Sequence, residues 1–534
     1  MSFRLRAVRA IVLLAGFHLI GVTLLAAMAV LDWLLLTKLF TERAAWMEGM
    51  ALTATVVIAL GILRGMVVSV RAGRPGPVLD AVAVAPQDQP ELWEQVRSAA
   101  EATGERPPDE LYLTAEVEAG VSEHSRLLGL LPGRRRMLLG APLLAGLTVA
   151  QLRAVLAHEF GHYGNLDTRL GGVTMRGRTA VLHTVEVFGN GGTWLHHAVG
   201  SLYVGYAKMF LNASQSVARR QELAADQVAA RHAGRDAMAG ALRAVPVLGA
   251  AHNHYQKTYA AMGEPLGALP PAGELHGGFR RLLAARTGDQ LTALGAGQRP
   301  PRPHRYDSHP LNAERLALIV ALPADERTGG PADERAALSL LRDPDGVFTA
   351  LERCTLPPEA ARLRRLSWDD LVKARAVADA LGWSRPLRLA VARALRSAES
   401  GAEGAVPRQR DADGTMHEEL PDLYEVLDAV DRGLLWTAIA DRMPKPAQAG
   451  RLTGASARNF VRPRLFDALA GMVMLHLVAA GQATPDVAWS GRPGLALPDI
   501  WEEHMDDALD AVLADTPDTA ALRSLLTEAG AVPA

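Results

Sequence analysis

From Ala10 to Leu36 the chain is almost wholly apolar, with His18 and Asp32 its only strongly polar side chains. A helix of that length crosses about 30 Å of hydrocarbon. A second run, Met50 to Val70, is interrupted by Arg64, whose charge can snorkel to an interface or face a bundle. Arg4, Arg6 and Arg9 precede the first run, Arg64, Arg71 and Arg74 end the second, and the short loop between them holds Lys38 and Arg43. The positive-inside rule then favours a transmembrane hairpin with both ends cytoplasmic. A competing reading makes residues 1–29 a cleavable signal peptide ending at Ala27-Met28-Ala29, yet the apolar run continues through Leu36, long for a signal core. Either way the second span delivers the bulk of the chain to the cytoplasmic side. A multi-pass plasma-membrane protein, with the lipid bilayer as a partner, is expected.

The remainder has globular composition. The 534 residues carry a formal charge of −2 and are 49% hydrophobic, enough for two or three domains, and the near-neutral balance offers no argument for a nucleic-acid partner. Cys354 is the one cysteine, so neither an intramolecular disulfide nor a cysteine metal cluster can form.

Between Ala157 and Tyr163 the chain reads His158-Glu159-Phe160-Gly161-His162. Two histidines four apart share one face of a helix and can present imidazole nitrogen to a single metal ion. Glu159 then projects beside that ion, where it can take a proton from water. Thr148 and Gln151 have capping-box spacing, and Leu152, Val155 and Leu156 form an apolar stripe leading into the pentapeptide, so a helix is predicted here. A catalytic zinc ion takes three protein ligands and keeps one position for water. The metzincin continuation fails, because Asn165 and Thr168 stand where glycine and the next ligand belong. Downstream, Glu222 and Asp226 are four apart on a second helical stretch: Glu222 can bind the metal, and Asp226 can accept the second N–H of a ligating histidine. A third element is Ser308-His309-Pro310-Leu311-Asn312-Ala313-Glu314-Arg315. Pro310 suits a first helical turn, and His309, held extended before it, can donate to an oxyanion.

Together, in this order, these pieces resemble the membrane zinc metallopeptidases related to HtpX and to the CAAX prenyl proteases, a gluzincin group. There a helix bearing His-Glu-x-x-His is followed by Ser-Arg-x-x-Glu-x-x-Ala-Asp and then by His-Pro with a Glu-Arg pair. The resemblance implies His158, His162 and Glu222 as ligands of one zinc ion per chain, and Glu159 as general base. It further implies Asp226 and Arg219 as supports behind the ligands, and His309 as a transition-state or substrate contact. Ala218 replaces the family's serine. Ahead of the metal helix the family carries an edge strand whose Asn-Ala pair holds substrate backbone. Here Glu118-Ala119-Gly120-Val121 falls at that place, between Leu111–Thr114 and Arg136–Gly140, which read as strands.

The implied architecture is mainly α. A transmembrane helical hairpin is expected over 1–75, a zincin-like α+β metalloprotease domain with a small sheet over 76–320, and an all-helical accessory region over 321–534. A helix over Asp88–Ala102 carries a capping pair at Asp88 and Glu91, and a further helix over Ala237–Tyr259 contains Pro246. Trp194–Leu211 is apolar, but His196, His197 and Lys208 argue against a clean span, so it reads as a helix on the membrane or lining the cleft. Past residue 320, helical patterns run over Asp333–Leu341, Pro358–Leu366, Trp368–Leu381, Pro386–Ser397, Leu420–Met443, Arg464–Gly481 and Ile500–Leu513. Ser400–Thr415 reads as an exposed linker.

The function these readings converge on is a membrane-anchored zinc-dependent endopeptidase acting on protein or peptide substrates, with membrane-protein quality control as one setting. Two alternatives stay open: a non-proteolytic scaffold with structural zinc that works through a protein partner of its C-terminal helices, and a sensor-type peptidase with one dedicated substrate.

Overall fold

The structure, a computed structural model, describes residues 3–34, 36–37, scattered positions from 49 to 63, 78, 80–123, 133–162, 194–296, 310–324, 331–400, 408–410, 416–418, 420–445, 452 and 454–528. Helices dominate, with small sheets among them. Two compact units emerge: Met1–His254 with His276–Ala361, and Tyr255–Leu275 with Arg362–Ala534.

The first unit opens with α1 (Phe3–Leu34). Within it Ala15–Leu34 is, among the described residues, the one helix long and apolar enough to cross a membrane. The second apolar run falls largely outside the described residues, and the positions described between 52 and 63 are helical. From there Thr55 Oγ1 donates to Asp32 Oδ1 at 2.6 Å, giving the acidic group of α1 a partner in apolar surroundings.

The sheet follows. Strands β1 (Ala81–Val84), β2 (Glu110–Thr114), β3 (Ala119–Glu123) and β4 (Arg135–Gly140) lie in the order β1-β2-β4-β3. β2 runs parallel to β4 with Leu111 opposite Met137 and Leu113 opposite Leu139, and all four side chains are buried. β3 pairs antiparallel with β4 and is the last strand in that order. Gly140 makes this pairing possible: a Cβ there would lie 2.0 Å from the Glu116 carbonyl oxygen, and the Gly140 N–H donates to Glu118 O at 2.7 Å.

Helix α2 (Pro90–Ala102) begins at Gln89 rather than at the predicted Asp88 cap. Asp88 is taken up in a turn to Ala85, and Pro90 opens the helix. A short α3 (Ala141–Gly146) leads into α4 (Val149–Gly161). Here the predicted capping box forms: Thr148 Oγ1 accepts from Gln151 N at 3.2 Å, and Gln151 Oε1 accepts from Thr148 N at 3.1 Å. The chain beyond residue 330 returns to this point. Val149 N donates to Arg335 O, Ala337 N donates to Leu147 O, and Arg153 pairs with Asp333.

Trp194–Leu211 is not a separate surface helix. It continues through Glu222 as α5 (Trp194–Ala233), 40 residues long, since neither glycine nor proline interrupts the chain between Leu211 and Glu222. Its first half packs on α1, where Ala207 and Phe210 join Phe17 and Ile62 in one apolar cluster and the Tyr206 hydroxyl donates to the Leu13 carbonyl. Helix α6 (Arg235–Thr258) runs through Pro246, and α7 (Asn312–Val320) and α8 (Pro344–Thr355) complete the main helices of the unit. Ile319 of α7 is buried with Ala154, Ala157, Ala229 and Met238, which holds α7 over α4, α5 and α6.

The second unit is built from α9 (Trp368–Ser400), α10 (Leu423–Asp431), α11 (Gly454–Ala479), α12 (Asp499–Val512) and α13 (Ala520–Glu528), around a core that includes Leu427, Leu465, Leu469, Trp501 and Leu509. Two predicted helices fuse into α9. Pro386 removes the hydrogen bond to Gly382, and Gly382 is exposed, so water can serve the freed carbonyl. Leu420–Met443 breaks at Gly433, which adopts φ +76. Pro358–Leu366 holds only a short 3₁₀ turn and a two-residue strand, Arg364–Arg365, paired with Ala268–Leu269. Asp333–Leu341 splits into two short turns, and α8 was not anticipated. The region also carries two hairpins, one of which, Arg408–Arg410 with Met416–Glu418, occupies part of the predicted linker.

Because α4 depends on its box, Thr148→Ala is expected to lower unfolding free energy by about 1 kcal/mol in chemical denaturation of the solubilised protein.

Candidate metal centre

The first unit brings α4 and α5 together at a glycine. A Cβ on Gly161 would lie 3.1 Å from Ala225 Cα and 3.2 Å from Val228 Cβ, tight enough that a larger residue would press the two helices apart by a few tenths of an ångström. One turn earlier on α4 is His158, one residue later is His162, and on the facing turn of α5 are Glu222 and Asp226.

Three side chains converge there. His158 Nε2 and His162 Nε2 are 3.2 Å apart, His158 Nε2 is 3.7 Å from Glu222 Oε2, and His162 Nε2 is 3.7 Å from Glu222 Oε1. Ligand atoms bound tetrahedrally at about 2.0–2.1 Å lie about 3.3 Å from one another. The observed separations are close to that, and one available donor atom from each of the three residues falls within 4.8 Å of the others. Two imidazole nitrogens and a carboxylate form a donor set suited to zinc. These residues therefore fit a divalent ion without rearrangement of the helices. His158 and Glu222 are buried, while His162 and Glu159 are half-buried.

The surroundings settle the charges. Asp226 is 1% exposed, and its Oδ1 lies 2.9 Å from His158 Nδ1. Arg315 of α7 grips the same carboxylate with both arms, Nε to Oδ2 at 2.8 Å and Nη2 to Oδ1 at 2.6 Å. Burial alone would raise the Asp226 pKa. The two hydrogen bonds from Arg315, with His158 close by, outweigh it and hold the group below the usual carboxylate range. Arg315 is pushed the other way: burial opposes its charge, but Asp226, Glu222 and Glu159 together raise its pKa. Burial, aided by the neighbouring His158, lowers His162 to about 4, so that ring stays neutral and able to ligate through the physiological range.

Of the residues singled out from the sequence, His158, His162, Glu222 and Asp226 meet here, with Glu159 on the next position of α4. Arg219 reaches α7 instead, where its Nη2 pairs with Glu314 Oε2 at 3.1 Å. His309 lies outside the described residues. Gly161 and Arg315 stand in the motifs quoted from the sequence, which assigned neither of them a role. The glycine within the pentapeptide and the Glu-Arg pair after His309-Pro310 were the signals available for them.

Gly161→Ala is expected to cost about 1–3 kcal/mol through overpacking, since part of what it meets is backbone. It should also lower zinc content by spreading α4 from α5, measurable by denaturation together with elemental analysis.

Residues 86–322 match the model of Peptidase family M48. Neither the curated proteins nor the solved structures yield a match to the chain.

Proposed function

Because residues 86–322 belong to Peptidase family M48, a family of metallopeptidases, we propose that this chain is a membrane-anchored zinc endopeptidase with its catalytic centre at His158, His162, Glu222 and Glu159. The observation that carries the proposal is the convergence of two imidazoles and one carboxylate from two helices, at separations matching a tetrahedral ion.

When bound, zinc supplies Lewis acidity, acidifying water and polarising a carbonyl oxygen. The chain's own residues do the rest. His158, His162 and Glu222 hold the ion, and Asp226 orients the His158 ring by its contact at Nδ1. Glu159, half-buried and projecting beside the ligands, takes the water proton and returns it to the leaving amine. As the last strand of the described sheet, β3 would offer main-chain groups to an extended substrate, and it lies against α4, which carries the centre. His309 is assigned the oxyanion contact, on the resemblance that its Ser-His-Pro context carries. Retention of Glu159, which structural zinc does not need, favours an enzyme over a scaffold.

The membrane part of the proposal rests on the apolar surface of α1. Only 17% of its spanning window is buried, with Leu19, Val22, Val30 and Trp33 turned outward. Water disfavours such a surface, and lipid accepts it. The helical positions of 52–63 would return the chain across the bilayer, leaving the catalytic unit on the cytoplasmic side of the plasma membrane. The second unit is then an accessory region open to a protein partner.

Two outcomes test this reading. Glu159→Gln is expected to keep one zinc ion per chain and lose turnover, whereas Glu222→Ala should lose zinc itself; unchanged proteolysis by Glu159→Gln would remove the assigned base. Casein and unfolded membrane proteins, offered to detergent-solubilised protein, should both be cut if the role is quality control. Cleavage of neither would favour a scaffold or a peptidase with one dedicated substrate.

A further inference from the structure

Arg315 stands apart from the residues given a role above. It is on α7, and its fork engages both oxygens of Asp226. We propose that Arg315 is a positioning residue of the metal centre: by fixing the plane of the Asp226 carboxylate, it sets the His158 ring with Nε2 turned toward the ion. The proposal rests on the zinc-site reading above.

Geometry leads to this role. A guanidinium bound to both carboxylate oxygens leaves that carboxylate no freedom to rotate. Asp226 is too deeply buried for water to hold it in the same way. Its Oδ1, already bound by Arg315 Nη2, is the atom 2.9 Å from His158 Nδ1. With the proton on Nδ1, the ring nitrogen beside that oxygen, Nε2 is left as the bare lone pair. The same Nη2 lies 3.8 Å from Glu222 Oε2, so one guanidinium addresses both a ligand and the support of another. Lysine offers charge but not the fork.

Helix α7 does not need Arg315 to dock. Ile319 is buried against α4, α5 and α6, Asn312 Nδ2 donates to Leu242 O at 2.7 Å, and Glu314 pairs with Arg219. Loss of the guanidinium should therefore disturb the centre more than the fold.

The test uses the full chain in detergent, with zinc affinity read by competition against a chromophoric chelator and thermal unfolding of the metal-free protein measured in parallel. Arg315→Met is expected to bind zinc about 10–100-fold more weakly than wild type. Arg315→Lys should recover only part of that loss. Adding Arg315→Met to Asp226→Asn should weaken binding by less than about threefold beyond Asp226→Asn alone, because the arginine acts through the aspartate. Glu314→Gln, which removes only the surface pair with Arg219, should stay within about twofold of wild type. Wild-type affinity in Arg315→Met or in Arg315→Lys overturns the proposal, as does a full multiplication of losses in the double variant. If Arg315→Met fails to fold, Arg315→Lys carries the comparison under the same criterion. Should wild type itself hold no zinc, the metal centre falls, an outcome distinct from one in which zinc binds and Arg315 is immaterial.

Discussion

The candidate metal centre depends on the close approach of α4 and α5 at Gly161. Each helix alone offers an incomplete donor set: α4 presents two imidazoles four residues apart, and α5 one carboxylate. Their separation decides whether those groups make a site or two unrelated surfaces. The absence of a side chain at Gly161 lets Ala225 and Val228 approach, and the ligand atoms end 3.2–3.7 Å apart. The capping box at Thr148 and the strand-like return of residues 335–337 hold the start of α4, so the helix enters the crossing in one register.

Electrostatics then explains why such a polar knot tolerates burial. Asp226 pairs with the Arg315 guanidinium, Glu222 lies 3.8 Å from it, and Glu159 is near enough to help raise its pKa, so three carboxylates gather around one cation beside the two imidazoles. A buried carboxylate survives only when paired or coordinated. Arg315 pairs with Asp226 and approaches Glu222 at 3.8 Å, and a divalent cation would add its charge beside Glu222. The low pKa of His162 completes the arrangement, because a ring that resists protonation does not compete with a cation for its own lone pair.

The candidate donor cluster was legible in part because its residues recur in helical periods. His158 with His162 and Glu222 with Asp226 each recur at four, and the cap at Thr148–Gln151 recurs at three, so local geometry alone aligns them. The α4–α5 distance was not legible, since the glycine responsible matters only against a partner that lies far off in sequence. The partner of Arg315 was hidden for the same reason, since Asp226 is 89 residues away. Periodicity also misled where proline and glycine have two uses. Pro386 looked like a boundary but lies within α9, because the carbonyl it frees is exposed, whereas Gly433 ends α10 by adopting a positive φ. Strand β3 has little apolar alternation of its own, and its place beside β4 is set by the turn that Gly140 admits. Trp194–Leu211 was hard to place because its polar residues suit a surface helix, while Tyr206, Ala207 and Phe210 meet α1.

Zinc K-edge X-ray absorption on the purified protein addresses the convergence of His158, His162 and Glu222 most directly. Two imidazole nitrogens at about 2.0–2.1 Å with oxygen neighbours at about 2.0–2.2 Å and no sulfur are expected. A first coordination shell with fewer than two imidazoles, or one containing sulfur, would contradict the site.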